Sequence, residues 1–130
     1  MLIITIRTDK PEAEIGLYDD SRQLTYSTWQ AHRQLAESIH TKLKEILESR
    51  QKTLGDLQGV VVFKGPGSFT GLRIGFSVAN ALADSLKIPI VSSDGDDWLN
   101  SGLTNLLKGN DQKVAQPEYG SLPKTTVAKK

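Results

Sequence analysis

The stretch Gly59–Gly75, GVVVFKGPGSFTGLRIG, constrains the fold more than any other part of the chain. Strand-forming residues lead into a Gly–Pro–Gly turn, after which a helix must begin within a few residues. From Gly67 onward small residues recur at every fourth position: Gly67, Gly71, Gly75, Ala79 and Ala83. Residues four apart share one helix face, so this helix carries a stripe almost free of side chains. A glycine inside a helix costs roughly 1 kcal/mol relative to alanine. The physical reason to keep two of them is close approach by another backbone. That backbone belongs either to this chain or to a partner, and spacing alone leaves both open. Leu72, Phe76, Leu82 and Leu86 form a second face suited to covering a sheet, while Arg73 and Asn80 point elsewhere.

The rest of the pattern surrounds this unit. Met1–Ile6 is nearly continuous apolar and β-branched, which predicts a strand buried on both faces. Ala13, Ile15 and Leu17 alternate with polar or small neighbours over 13–18, and Leu24, Tyr26 and Thr28 do so up to Trp29. Short turns separate these strands, so the three form an antiparallel meander. Between Arg33 and Ser49 the period changes: Leu35, Ile39, Leu43, Ile46 and Leu47 fall on one helical face. A strand at Gly59–Phe63 follows, then the helix over 70–86, a strand over 88–92 and a short helix from Asp96 or Asp97 to Leu107. The predicted order is βββαβαβ plus a terminal helix: an α/β domain with a mixed five-stranded sheet, compatible with one ribonuclease-H-like, actin-type half. The expected division is a folded domain over 1–108 and a flexible tail over 109–130, where the sequence is polar and contains proline.

Size and charge exclude several classes. A chain of 130 residues suits one domain. Its net charge of +1 predicts no strong general affinity for nucleic acid. Without cysteine there is neither a disulfide framework nor a thiolate metal site, which fits a reducing, cytoplasmic setting. No apolar run approaches the roughly 20 residues of a membrane span, and the stretch MLIITIRTDK lacks the basic flank and long apolar core expected of a signal peptide.

The glycine-rich turn departs from the known phosphate loops. Walker A spacing is absent and no lysine follows the last glycine. The dinucleotide fingerprint fails because Thr70 stands where its third glycine belongs. Gly67, Ser68 and Thr70 remain a candidate anion site at the helix N-terminus. His32 and His40 are separated by about 12 Å of helix rise, too far to share one metal ion. Asp94, Asp96 and Asp97 read as a capped loop, so no metal ligands are assigned. Ser68 does not sit in a nucleophile elbow.

KGPGSFTGLRIG, followed by ANALADSLKIPIVSSDG, closely resembles the TsaB family of tRNA threonylcarbamoyladenosine biosynthesis proteins, within the actin-like ATPase superfamily. LYDD, AHRQLAESIHTKLKEIL and TLGDLQGVVVFKGPG extend the match, and the resemblance covers about residues 2–95. Family members usually carry a second actin-like half, so this chain reads as a shortened form. The resemblance implies a non-catalytic scaffold. That scaffold pairs with the catalytic relative TsaD through its two long helices and works with the ATPase TsaE. Together they form N6-threonylcarbamoyladenosine at position 37 of ANN-decoding tRNAs. It places the stripe (Gly67, Gly71, Gly75, Ala79, Ala83) with Arg73, His32, Leu35 and Ile39 at a partner interface, with a TsaD relative or with a second copy as a homodimer. The tRNA is then met indirectly, and ATP and Mg²⁺ belong to the assembled complex. Where the superfamily has an acidic Mg²⁺ anchor after the first strand, this chain has Arg7, read as a solvated turn residue. Asp9 stands roughly 6–7 Å further along. The alternatives are an autonomous ATP-binding phosphotransferase-like domain and a homo-oligomeric binding protein without a tRNA role.

Overall fold

The computed structural model describes residues 1–118, apart from the side chain of His32. Its centre is β1 (Leu2–Arg7), whose apolar run is buried on both faces as the sequence requires. β1 pairs antiparallel with β2 (Glu12–Asp19) on one side and parallel with β4 (Gly59–Phe63) on the other. β3 (Arg22–Gln30) extends the antiparallel side, and β5 (Ile90–Ser93) extends the parallel side. The sheet order is β3-β2-β1-β4-β5. Every residue of β4 is buried, which fits a strand made of Gly59, three valines and Phe63.

Two helices lie on one face and one on the other. α1 (Leu35–Glu48) and α2 (Phe69–Leu86) cover Ile4, Ile6, Ile15, Leu17, Val60 and Val62. α3 (Trp98–Leu107) packs Trp98, Leu103 and Leu106 on Ile3, Val61, Phe63 and Val91. Alternate residues of β1, β4 and β5 thus feed two separate cores. The order is therefore βββαβαβ with a terminal helix, in a mixed five-stranded sheet.

The helix ends follow from local chemistry. The Ser68 hydroxyl accepts from the Gly71 amide at 3.3 Å and starts α2. Lys87 turns left-handed at φ 57°, and the Ile88 amide returns to the Ala83 carbonyl at 3.0 Å. That closure keeps Ile88 in the helix end, so β5 starts at Ile90 and not at the expected 88. Arg33 and Gln34, expected to open the first helix, lie in a 3-10 turn, His32–Gln34, before α1.

The glycine stripe faces inward. Where α2 crosses the end of β1, Gly67 lies on Asp9, and Gly71 and Gly75 lie on Thr8. A methyl group at Gly67 would overlap Asp9 Cβ, one at Gly71 the Thr8 carbonyl oxygen, and one at Gly75 the Thr8 hydroxyl. Ala79 and Ala83 continue the stripe into the core. The close approach that the spacing demands is met by this chain's own β1–β2 turn, which corrects the assignment of these positions to a partner interface.

Residues 110–118 also differ from the expected free tail. They form no helix or strand, yet they are held against the domain. Ala115 is buried, its amide and carbonyl bonded to the Asn80 side chain at 2.8 and 2.9 Å. The Glu118 amide donates to the Lys64 carbonyl at 2.8 Å. The remainder of the expected tail, 119–130, lies outside the described residues.

Two measurements follow from this packing. Gly75→Ala should destabilise the domain by about 1–3 kcal/mol in urea melts, because overpacking outweighs the gain in helix propensity. Thr8→Ala should cost less, since the buried Thr8 hydroxyl has no hydrogen-bond partner among the described residues. The double variant should recover much of the Gly75→Ala loss, and purely additive losses would contradict the contact. On the opposite face, the Tyr26 hydroxyl donates to Glu14 Oε1 at 2.6 Å. Burial first, and this bond to a carboxylate second, raise the Tyr26 pKa above its usual value. The neutral phenol is thus favoured in the folded state, and its contribution is complete below the unfolded pKa of about 10 and lost as pH rises above it. Tyr26→Phe should flatten the alkaline fall in melting temperature; an unchanged slope would contradict the assignment.

Candidate partner-binding face

With the glycine stripe turned inward, the outward side of α2 is a different set of residues. Ile74, Val78 and Leu82 are half-buried at four-residue spacing and run beside α1. Between the two helices is a cleft of about 650 Å³, where Leu43 and Leu47 of α1 meet Val78 and Leu82 of α2. A second cleft of about 400 Å³ continues toward the start of α2, between Ala36, Arg73 and Ile74. His40 and Val78 border both clefts, so the two form one groove along the helix pair. Its floor is aliphatic, and Lys44, Glu48 and Lys52 stand at its far end. Chemically this is a surface for an apolar helix or strand with a polar margin.

The residues expected at an interface distribute unevenly against this groove. Arg73 is exposed and borders it. Leu35 and Ile39 are buried over the sheet, so they hold α1 down and do not face outward; that expectation is corrected. Gly75, Ala79 and Ala83 are buried, and Gly67 and Gly71 are half-buried against Thr8 and Asp9. His32 belongs to the 3-10 turn that leads into α1. The groove residues Ile74, Val78, Leu82 and His40 were missed. Their signal was the Ile–Val–Leu series at 74, 78 and 82, one helical step away from the stripe.

The candidate anion site is engaged by the chain itself. The Ser68 amide donates to the Asp9 carbonyl at 2.8 Å, and the Ser68 hydroxyl caps Gly71. Gly67 is pressed on Asp9. Arg7 is not a solvated turn residue. Its Nε donates to Asp9 Oδ1 at 2.8 Å and its Nη2 to Oδ2 at 3.2 Å. The guanidinium carbon stands 3.9 Å above the centroid of the Phe63 ring. The hydrogen bond to Asp9, foremost, raises the Arg7 pKa further. These residues do not fit a Mg²⁺–phosphate group at this turn. The one carboxylate that follows β1 is neutralised by a bidentate arginine, with side chains 10% and 22% exposed respectively. Among the described residues no three His, Asp or Glu side chains stand together as metal ligands. No described helix is long and apolar enough to cross a membrane.

Comparison with known proteins agrees with this architecture. The family model for TsaD, tRNA N6-adenosine threonylcarbamoyltransferase, matches residues 29–93, half of the chain. The chain is 28% identical over 127 residues to the tRNA threonylcarbamoyladenosine biosynthesis protein TsaB of Escherichia coli K12, covering 89% of this chain and 52% of the relative. It thus spans about half the length of that relative. Among solved structures, YeaZ from Pseudomonas aeruginosa superposes with a TM-score of 0.66 at 22% identity, over 72% of this chain and 43% of that one. RuvC of Thermus thermophilus, solved with a Holliday junction substrate, superposes with a TM-score of 0.52 at 11% identity, over 92% and 85% of the two chains. These likenesses define the fold as ribonuclease-H-like, of the actin-like type. The part of the chain matched by the family model contains α1, β4, the glycine turn and α2, the elements that build the groove. The chain belongs to the family of tRNA N6-adenosine threonylcarbamoyltransferases and their relatives, and within it is TsaB-like.

Proposed function

We propose that the chain is a non-catalytic scaffold subunit in the formation of N6-threonylcarbamoyladenosine at position 37 of ANN-decoding tRNAs. In this reading the α1–α2 groove receives a helix of a TsaD relative, and the tRNA is met through that partner. TsaE, ATP and Mg²⁺ belong to the same assembly. One observation carries the proposal: the groove is a continuous aliphatic strip on the outward side of α2, bordered by Ala36, His40 and Arg73. The names of the family model and of the E. coli relative supply the process. An autonomous ATP-binding domain is disfavoured by the Arg7–Asp9 pair at the end of β1. A homodimer through the same groove is the competing occupant.

Val78→Glu tests the proposal. Val78 is half-buried and borders both clefts, so a carboxylate there places charge in the docking strip while the sheet core stays intact. Capture of a purified TsaD relative should fall by about tenfold or more, equivalent to about 1.4 kcal/mol. The melting temperature should change little. Undiminished capture would remove the groove from the interface. A wild-type chain that self-associates but never captures the TsaD relative would favour the homodimer.

A further inference from the structure

β5 is the outermost strand on the parallel side of the sheet, and outer strands present unpaired amides and carbonyls. Here that edge is closed, but among the described residues no strand closes it. The Ile90 amide donates to Asp111 Oδ1 at 3.1 Å, and the Ile90 carbonyl accepts from the Gln112 amide at 2.8 Å. The Ser92 amide and hydroxyl both donate to Gln112 Oε1, at 3.0 and 3.1 Å. One carboxylate, one side-chain amide and a single backbone N–H therefore stand in for a neighbouring strand. The segment then crosses to α2, where the Asn80 side chain binds Ala115 on both its backbone groups. It ends on the turn after β4, where the Glu118 amide meets the Lys64 carbonyl. Gly65, at φ 109°, leaves the space that the Glu118 carbonyl occupies.

We infer that residues 110–118 are an edge guard: a strap that prevents the outer edge of β5 from pairing with β5 of a second copy of the chain. The strap satisfies the edge through side chains that can let go one at a time. A genuine strand would be released only as a unit. When the strap lifts, Ile90 and Ser92 offer amides and a carbonyl on one edge of the four-residue strand Ile90–Ser93. An identical strand, turned about a two-fold axis, presents the same groups in complementary order, so one contact satisfies both edges. The inference is independent of the α1–α2 groove, which lies on a different part of the molecule.

Amide exchange and sedimentation of two full-chain variants test it. Asn80→Ala removes both latch bonds, and Gln112→Ala alters only the strap. In each, exchange at Ile90, Ser92 and Ala115 should accelerate by about tenfold or more, while Ile4 and Val61 in the central strands keep their protection. Self-association should increase with concentration in the same variants. It should persist when Val78→Glu is added, which separates it from any pairing through the groove. Two results overturn the inference. One is exchange that rises equally in β5 and the central strands, meaning that the strap only adds to global stability. The other is a released strap in a protein that stays monomeric across the concentration series.

Discussion

The contact between the β1–β2 turn and the first half of α2 sets the position of everything above the sheet. Thr8 and Asp9 lie against Gly67, Gly71 and Gly75, with no side chain on the helix between them. A helix that close to its sheet buries Leu72 and Phe76 fully, each contributing roughly 2 kcal/mol relative to an exposed position. It also leaves Ile74, Val78 and Leu82 beside α1, where they form the floor of the groove. A single bulky residue in the stripe would lift α2 and alter both surfaces together. The glycines therefore affect the outward face through the inward one.

The same turn decides what the carboxyl ends of the parallel strands can hold. In open α/β sheets this is the usual place for a ligand. In this chain Arg7 neutralises Asp9 and stacks on Phe63, while the Ser68 amide is bonded to the Asp9 carbonyl. The region is occupied by contacts that stabilise the fold. The aliphatic groove is on the helices, away from the strand ends.

Much of this was legible in the sequence, and the misreadings have physical causes. Apolar runs, period-2 alternation in β2 and β3 and four-residue helical spacing located the five strands and three α-helices of the described residues, with boundaries displaced mainly where a cap intervened, as at Ile88. The four-residue recurrence of small residues correctly announced a close approach. It could not say to what, because the opposing Thr8 and Asp9 are distant in sequence and have no periodic signature. Leu35 and Ile39 were misplaced because the apolar face of α1 is broad, and periodicity does not divide it between sheet and groove. The strap was invisible for a related reason. It is held by Asn80, Asp111 and Gln112 side chains on backbone groups, and such bonds impose no repeat on the sequence.

The two tryptophans fall one to each layer. Trp98 is sealed on the α3 side, edge-on to Phe63 with ring centroids 5.5 Å apart and the Arg7 guanidinium 5.9 Å away. Trp29 sits on the α1 side, its indole N–H donating to the Ser38 hydroxyl at 2.9 Å and the Lys42 ammonium 5.8 Å from its ring. One indole is buried against a ring and a guanidinium and the other is half-exposed and hydrogen-bonded, so their emission should differ in wavelength without any label being added. The protein carries its own pair of optical reporters, one for the α3 layer and one for the helix pair that forms the groove. A partner arriving on α1 and α2 would disturb the red-shifted component and leave the blue-shifted one as an internal standard.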